Sequence, residues 1–273
     1  MNTYQLIAFD MDGTLLNSKK QIAPSSLAAI EQARAAGKTV ILSTGRCLAE
    51  LSEYMDQIPG LRYLVCASGA LVYDLARQTA LFSEPLPPKQ VRKILALAQA
   101  EKPMIHMLAL RSIVDQNDFE HMEDFHMEMF RSFFEQVADK YPGLAQSYCA
   151  DPFPINKLNL YHTDAASCAR TEASLRAAGI DATMVYEQGT SIEISPKGIS
   201  KASGLERLCT HLGIPVSQTI AVGDSENDFE ILKKAGFSIA MGNAKPNIKA
   251  IADAVVSDCD HDGCAEAIRQ YLL

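Results

Sequence analysis

The residues able to do chemistry come in four short groups. Asp10-Met11-Asp12-Gly13-Thr14 follows a short apolar run, Leu6-Ile7-Ala8-Phe9. Two acids two residues apart at the carboxyl end of a buried strand stand where α/β folds place their ligands. Asp10 at the strand tip can point at a ligand, Gly13 lets the chain turn sharply, and Asp12 can swing back over the same pocket; an Asp-Gly turn with two solvated carboxylates is the plainer alternative. Ser43-Thr44-Gly45-Arg46 follows a second apolar run, where hydroxyl and backbone N–H groups can hold a phosphate oxygen at a helix start. Lys201 stands at the start of a helix, a place unfavourable to a cation unless an anion is near. Gly223-Asp224-Ser225-Glu226-Asn227-Asp228 follows a further apolar run, with Asp224 and Asp228 four residues apart.

Each group also reads as an ordinary cap or turn by itself. Their common placement is more specific, because the carboxyl ends of parallel strands converge on one edge of a sheet. Asp10, Asp12 and Asp224 then crowd one pocket. Two like charges about 4 Å apart repel by roughly 4 kcal/mol at an effective dielectric near 20. Three such pairs rival the roughly 5–15 kcal/mol that holds a domain together. Either some of these acids are protonated or a cation is bound, and hard oxygen donors with remaining positions left to water suit Mg²⁺.

The elements that must position these groups alternate strand and helix in the first and last parts of the chain. Strands are expected at 6–9, 39–42 and 61–66, with a helix from Pro24 to Ala36 that Gly37 stops and that turns Leu27 and Ile30 to one side. After residue 199 come a helix from Ser200 to Leu212 with Leu205, Leu208 and Leu212 as its apolar face, a strand at 219–222, a helix from Glu226 to Ala235, and short strands at 238–241 and 254–256. This rhythm predicts a Rossmann-like, doubly wound parallel sheet. The middle differs. It opens on Pro85, Pro87 and Pro88, turns helical and rich in Met, Phe and Glu over 117–140, and has strands expected at 158–162, 183–186 and 191–194 around a helix at 165–178. It reads as an inserted α+β domain over 84–194, within a core made of 1–83 and 195–273.

With the motifs and their order in view, the chain resembles the haloacid dehalogenase superfamily. The resemblance rests on DMDGT at 10–14, STGR at 43–46, Lys201 and GDSEND at 223–228, and extends to Met241-Gly242-Asn243-Ala244 and Asp262-Gly263. It is closest to the Cof-type phosphatases, which carry a large α/β cap where the insertion stands here. Ser68-Gly69-Ala70 replaces the usual Asn-Gly-Ala, and Ala202 follows the lysine where Gly is usual. The resemblance implies Asp10 as a nucleophile that becomes phosphorylated and Asp12 as acid, then base. It implies Mg²⁺ held by Asp10, the backbone carbonyl of Asp12 and Asp224, with Asp228 behind them. Met11 (backbone), Thr44, Gly45, Lys201 and Asn227 are implied as contacts of the phosphoryl oxygens. The implied activity is hydrolysis of a small phosphorylated metabolite, a sugar phosphate or phosphorylated cofactor. A phosphohexomutase and a non-catalytic phosphometabolite-binding regulator are the alternatives, and intact Asp10 and Asp12 speak against the regulator.

Composition narrows the partners. A net charge of −8 disfavours a nucleic-acid backbone or an anionic membrane, while leaving room for a small anion at a locally positive site. The cysteines, odd in number at seven, show no C-x-x-C spacing, so reduced thiols in a cytoplasmic protein are expected and not a disulfide framework or a zinc site. The first four residues carry no basic stretch leading into an apolar one, so no signal peptide is expected, and apolar runs such as 107–110 are too short to span a bilayer. His121, Glu123, His126 and Glu128 hold the right ligand types, but the histidines are five apart and spread around a helix, so no metal is expected there. Arg46 can reach a substrate or form a surface ion pair; Lys157, before a strand of the insertion, can meet a substrate's distal group but is not counted among the site residues.

Overall fold

A computed structural model describes residues 4–58, 60–187 and 189–273, so Met1–Thr3, part of the leader reading, lie outside the described residues. In chain order the strands are β1 (Leu6–Phe9), β2 (Thr39–Ser43), β3 (Tyr63–Cys66), β4 (Leu71–Asp74), β5 (Thr79–Ser83), β6 (Met104–Leu108), β7 (Ser112–Asp115), β8 (Ala138–Tyr141), β9 (Lys157–Tyr161), β10 (Ala182–Glu187), β11 (Ser191–Pro196), β12 (Thr219–Gly223), β13 (Phe237–Ala240) and β14 (Ala254–Val255). The chain divides into two compact units. One comprises Met1–Gly45, Ser52–Ser83 and Ile199–Leu273; the other comprises Arg46–Leu51 and Glu84–Gly198.

The first unit carries an eight-stranded sheet in the order β14-β13-β12-β1-β2-β3-β4-β5. From β14 to β3 neighbours are parallel, and β4 and β5 add an antiparallel edge. Every residue of β1 is buried, as a central strand covered on both faces requires. Chain order reverses at β1, which lies between β2 and β12, and such a reversal opens a crevice at the carboxyl ends of the strands. The helix Pro24–Ala35 has Pro at its first turn and buries Ser26, Ala29, Ile30 and Ala33. Leu27 is only half-buried, so the inward face lies one residue round from the Leu27–Ile30 face read from the sequence. The helix Lys201–Leu212 starts from a Ser200–Ser203 capping box and buries Leu205, Leu208 and Cys209, leaving Leu212 half-exposed. The helix expected over 226–235 is in fact a 3₁₀ turn, Glu226–Asp228, leading into the helix Phe229–Lys234.

The second unit carries a six-stranded sheet in the order β10-β11-β9-β6-β7-β8, antiparallel apart from the β7–β8 pair. Alternation sorts its faces. Met107, Ile113, Leu158, Leu160, Ile192 and Ile194 join Val91, Ile94, Leu144, Tyr148, Cys168 and Leu175 of the helices Pro88–Ala98, Leu144–Ala150 and Ala165–Ala177 in one core. Met104 and Val114 belong to a second cluster with Met122, Phe125, Met127 and Phe134, which accounts for the Met and Phe enrichment seen in the sequence. The helical stretch expected over 117–140 is broken up. It holds a five-residue helix, Gln116–Glu120, two 3₁₀ turns, the helix Arg131–Val137 and then β8. Among the described residues, no helix is long and apolar enough to cross a membrane.

Candidate active site

The site grows out of three neighbouring strand ends. Phe9 of β1 is in register with Leu42 of β2 and with Val222 of β12, and the Asp10 N–H continues the ladder to the Val222 carbonyl at 3.0 Å. Asp10, Thr44 and Asp224 therefore leave the sheet at the same edge. After Asp10 the chain folds back on itself, with Thr14 N–H and Leu16 N–H donating to the Met11 carbonyl at 3.3 and 2.8 Å. Gly13 sits at φ +78°, and a Cβ there would lie 2.6 Å from Asp224 Oδ2. A larger residue would be strained in its backbone and would push on that carboxylate. Asn243 Nδ2 holds the Gly13 carbonyl at 2.8 Å, and Cys264 Sγ approaches the Thr14 carbonyl at 3.2 Å, so loops after β13 and β14 brace the turn.

Lys201 is the hub. Its side chain is 0% exposed, and Nζ donates to Asp10 Oδ1 at 2.6 Å, Asp228 Oδ1 at 2.7 Å and Asn227 Oδ1 at 2.9 Å. An ammonium has three protons to give, and three acceptors meet them. Asp228 is spoken for twice, since its Oδ2 accepts the Asp224 and Ser225 N–H groups at 3.0 and 3.2 Å. That bonding turns the 3₁₀ turn after β12 and aims Asp224 inward. Asp224 Oδ1 in turn accepts from Thr14 Oγ1 at 2.8 Å.

The electrostatics are those of a site with too much negative charge. Asp10, Asp224 and Asp228 can each bring one oxygen into a set lying within 4.8 Å of one another, against the single ammonium of Lys201. Burial pushes the Asp10 carboxyl well above its ordinary pKa, and the charges of Asp228 and Asp224 push the same way, while Lys201 pulls it down. Burial likewise lifts Asp224 to about 6, helped by the Asp228 and Asp12 charges and opposed by the Thr14 hydroxyl. Burial works to lower the Lys201 pKa, but Asp10 and Asp228 overcome it and hold the ammonium firmly charged. Closely spaced hard oxygens, including the buried Asp10 and Asp224 carboxyls whose pKa values burial raises, are a donor set that fits a divalent cation.

The expected residues fall into three groups in space. Asp10, Lys201, Asn227 and Asp228 are joined by direct hydrogen bonds, and Asp224 is joined to them through the Asp228 carboxylate. Thr44 and Gly45 follow β2 beside Asp10, with Thr44 buried, its N–H on the Val65 carbonyl at 2.8 Å and its carbonyl accepting Ser68 N–H at 3.0 Å. Met11 is fully buried on the turn, whereas the Asp12 carboxylate faces outward to Lys20 Nζ at 2.8 Å with its side chain 40% exposed. Ser68-Gly69-Ala70 abuts the start of the Lys201 helix so closely that a Cβ on Gly69 would lie 1.9 Å from the Ser200 carbonyl. Thr14 and Asn243 are positioning residues whose individual roles were not legible in the sequence, although both lie inside the motifs that carry the resemblance. Of the weaker candidates, His121 and His126 each approach a backbone carbonyl, of Asn117 and Thr163 respectively, both at 2.9 Å. Lys157 is buried against Glu193 at 2.7 Å, and the Arg46 guanidinium lies over the Phe133 ring.

This architecture has known counterparts. The profile of the haloacid dehalogenase-like hydrolases matches residues 7–268, and the chain belongs to that family. It is 29% identical over 286 residues to Phosphatase YwpJ of Bacillus subtilis (98% of this chain, 100% of the relative) and 27% identical over 282 residues to Pyridoxal phosphate phosphatase YbhA of Escherichia coli (99% and 100%). Among solved structures, a haloacid dehalogenase-like hydrolase from B. subtilis superposes with a TM-score of 0.84 at 27% identity, covering 97% of this chain and 99% of that one. The protein is thus a hydrolase of phosphate esters of the Cof-type branch, with an α/β fold.

Proposed function

We propose that this protein hydrolyses small phosphorylated metabolites, using Mg²⁺, through a phosphorylated Asp10. The observation that carries the reading is the buried Lys201 ammonium joining Asp10, Asn227 and Asp228, with Asp224 alongside. In a protein of net charge −8, this array would admit a phosphoryl dianion with a divalent cation offsetting its carboxylates.

Asp10 attacks phosphorus with a carboxylate oxygen, the P–O ester bond breaks, and the leaving alkoxide takes a proton from Asp12. Asp12, now a carboxylate, takes a proton from water as that water attacks the aspartyl-phosphate, which releases inorganic phosphate and restores both acids. The Lys20 partner and half-exposed setting of Asp12 suit a group that must exchange its proton each cycle. Lys201 opposes the burial that raises the Asp10 pKa and fixes the carboxylate's direction. Asn227, Thr44, Gly45 and the Met11 backbone are assigned to the phosphoryl oxygens. Asp10, Asp224 and the Asp12 carbonyl would hold Mg²⁺, which supplies charge neutralisation and orientation when bound. Asp228, tied to Lys201 and two backbone N–H groups, orients these groups from behind.

The unit formed largely by 84–198 is assigned the part of a substrate-selecting cap, and cytoplasmic placement goes with the metabolite substrate. YbhA is named for pyridoxal phosphate, so phosphorylated cofactors as well as sugar phosphates belong in the substrate screen. The test is release of phosphate from p-nitrophenyl phosphate with Mg²⁺. Asp10→Asn is expected to lower kcat at least about 1000-fold while leaving the circular dichroism spectrum unchanged. Activity near wild type in that variant removes the covalent route. A hexose phosphate returned as an isomer in place of free phosphate transfers the reading to a mutase.

A further inference from the structure

The second unit contains a buried carboxylate that the chemistry above leaves unused. Glu50 is 3% exposed, in the segment that directly follows Thr44-Gly45. Its Oε2 accepts the Cys47 N–H at 2.9 Å, and its Oε1 accepts the Ser112 hydroxyl at 3.0 Å and lies 3.2 Å from His106 Nε2. Because the one Ser112 proton goes to Glu50, the 2.8 Å contact between His106 Nε2 and Ser112 Oγ has Nε2–H as donor. His106 Nδ1 faces the Tyr161 hydroxyl at 3.4 Å, and the Tyr161 oxygen also receives Asn159 Nδ2 at 3.0 Å. The Phe134 ring lies edge-on to the imidazole at 4.9 Å. Asn159, Tyr161, His106 and Ser112 thus form a polar chain from β9 to the carboxylate that accepts the Cys47 N–H.

Burying a carboxylate is costly unless its partners make good the lost hydration. Here burial raises the Glu50 pKa, yet the nearby His106 ring and the bonds from Cys47 and Ser112 bring it below its ordinary value, so the ionised form is the one built in. The rest of the segment is pinned as well. Ala49 N–H donates to the Leu110 carbonyl at 3.1 Å, and Arg46 Nη1 donates to the Glu50 carbonyl at 3.4 Å. Upstream, Thr44 is fixed by its bonds to Val65 and Ser68. Only Gly45 and Arg46 separate the two anchors.

We infer that Glu50 is a positioning residue for phosphoryl binding, which it serves by fixing the Cys47 backbone and so restricting Thr44-Gly45. This rests on the proposed assignment of Thr44 and Gly45 to the phosphoryl oxygens. Those groups would contact the phosphoryl in ground and transition states alike, so their loosening should appear in KM and not in kcat.

Three variants test it: Glu50→Ala, Glu50→Asp and Glu50→Gln. The Ala variant lacks the acceptor, and the Asp variant keeps the charge on a stem too short to reach both Cys47 and Ser112. Both are expected to raise KM for p-nitrophenyl phosphate and Ki for inorganic phosphate about tenfold, with kcat within about threefold of wild type. The Gln variant can still accept the Cys47 N–H, and its amide can donate to Ser112 once the histidine proton moves to Nδ1, so KM within about threefold of wild type is expected. Amide hydrogen exchange over residues 44–47 should speed up in the Ala and Asp variants. Folded Ala or Asp variants with KM, Ki and exchange within about twofold of wild type would overturn the inference, as would a fall in kcat at unchanged KM. A wild-type protein that neither turns over aryl phosphate nor binds inorganic phosphate would defeat the phosphatase reading instead. The exchange measurement would still decide whether Glu50 restrains 44–47.

Discussion

Removing divalent metal should destabilise this protein at neutral pH and hardly at all in mild acid. Asp224 titrates at about 6 in the folded metal-free site, against an ordinary 3.8. A carboxyl whose folded pKa lies above its unfolded one binds its proton more tightly in the native state. The native state then holds more protons than the unfolded chain between those values, so stability falls as pH rises through about 4 to 6 and stays low above. The gap of about two pH units corresponds to about 3 kcal/mol, which residual solvent around this incompletely buried group reduces to roughly 2–3 kcal/mol. Asp10, also raised, acts in the same direction. A divalent ion bound between the two carboxylates removes that repulsion and adds its own binding free energy. At about 2–4 °C per kcal/mol for a chain of this size, saturating Mg²⁺ should raise Tm by roughly 5–10 °C at pH 7.5 relative to EDTA, and by less than about 2 °C at pH 4.5, where protons occupy the site. Melting followed by circular dichroism at 222 nm, with and without metal at each pH, measures the difference and cancels the general effect of acid. Asp224→Asn keeps the acceptor for Thr14 and removes the charge. It should melt above wild type in EDTA at pH 7.5 and lose most of the response to Mg²⁺. An EDTA melt at pH 7.5 equal to that in Mg²⁺, or an Asp224→Asn variant less stable than wild type in EDTA, refutes this account of the charge balance.

Lys201→Met keeps the length of the side chain and removes the ammonium. It leaves Asp10 and Asp228 buried without their cation, at a cost of roughly 3–5 kcal/mol in chemical denaturation at pH 7.5, and should lower kcat/KM for p-nitrophenyl phosphate at least about 100-fold. Gly13→Ala puts a methyl group 2.6 Å from Asp224 Oδ2 at a positive φ. It should cost about 1–2 kcal/mol and weaken Mg²⁺ activation about tenfold or more, read from the metal dependence of turnover.

The catalytic half of the molecule was legible because its chemistry sits on strand ends. The runs at 6–9, 39–42 and 219–222 are short, apolar and each followed at once by acids or hydroxyls, so the sheet edge and its charge could be deduced together. The partner of Lys201 was only half legible. Its nearness to Asp10 came from family resemblance, but its bonds to Asn227 and Asp228 depend on a 3₁₀ turn where the sequence reads as continuous helix. The inserted half was harder. Residues 104–108 and 112–115 carry alternation too brief to separate from a loop, since His106 and Ser112 occupy buried positions that apolar residues usually fill. The polar network around Glu50 is the reason: Glu50, Ser112 and His106 meet in space, and no spacing along the chain records that. The same holds for Arg46–Leu51, which packs with the inserted unit although it lies far from it in sequence.

The site's economy of charge explains why so acidic a protein can bind a phosphate ester. Three carboxylates face one ammonium, so an approaching phosphoryl dianion would meet net repulsion if all were ionised and no ion were present. The Asp228 oxygens are already engaged by Lys201 and by the Asp224 and Ser225 amides. The adjustable charges are therefore Asp10 and Asp224, the two whose pKa values are raised. Protonating Asp10 would quench the proposed nucleophile, whereas a divalent cation held by Asp10 and Asp224 would keep it ionised and bring the three carboxylates and the ammonium to zero net charge. The same balance requires Lys201 to stay charged at every working pH. Its neighbours secure that by overriding the burial that would otherwise discharge it. In the proposed mechanism metal and lysine would thus answer different needs: the ion would offset the excess negative charge, and the lysine would fix which Asp10 oxygen is left to attack.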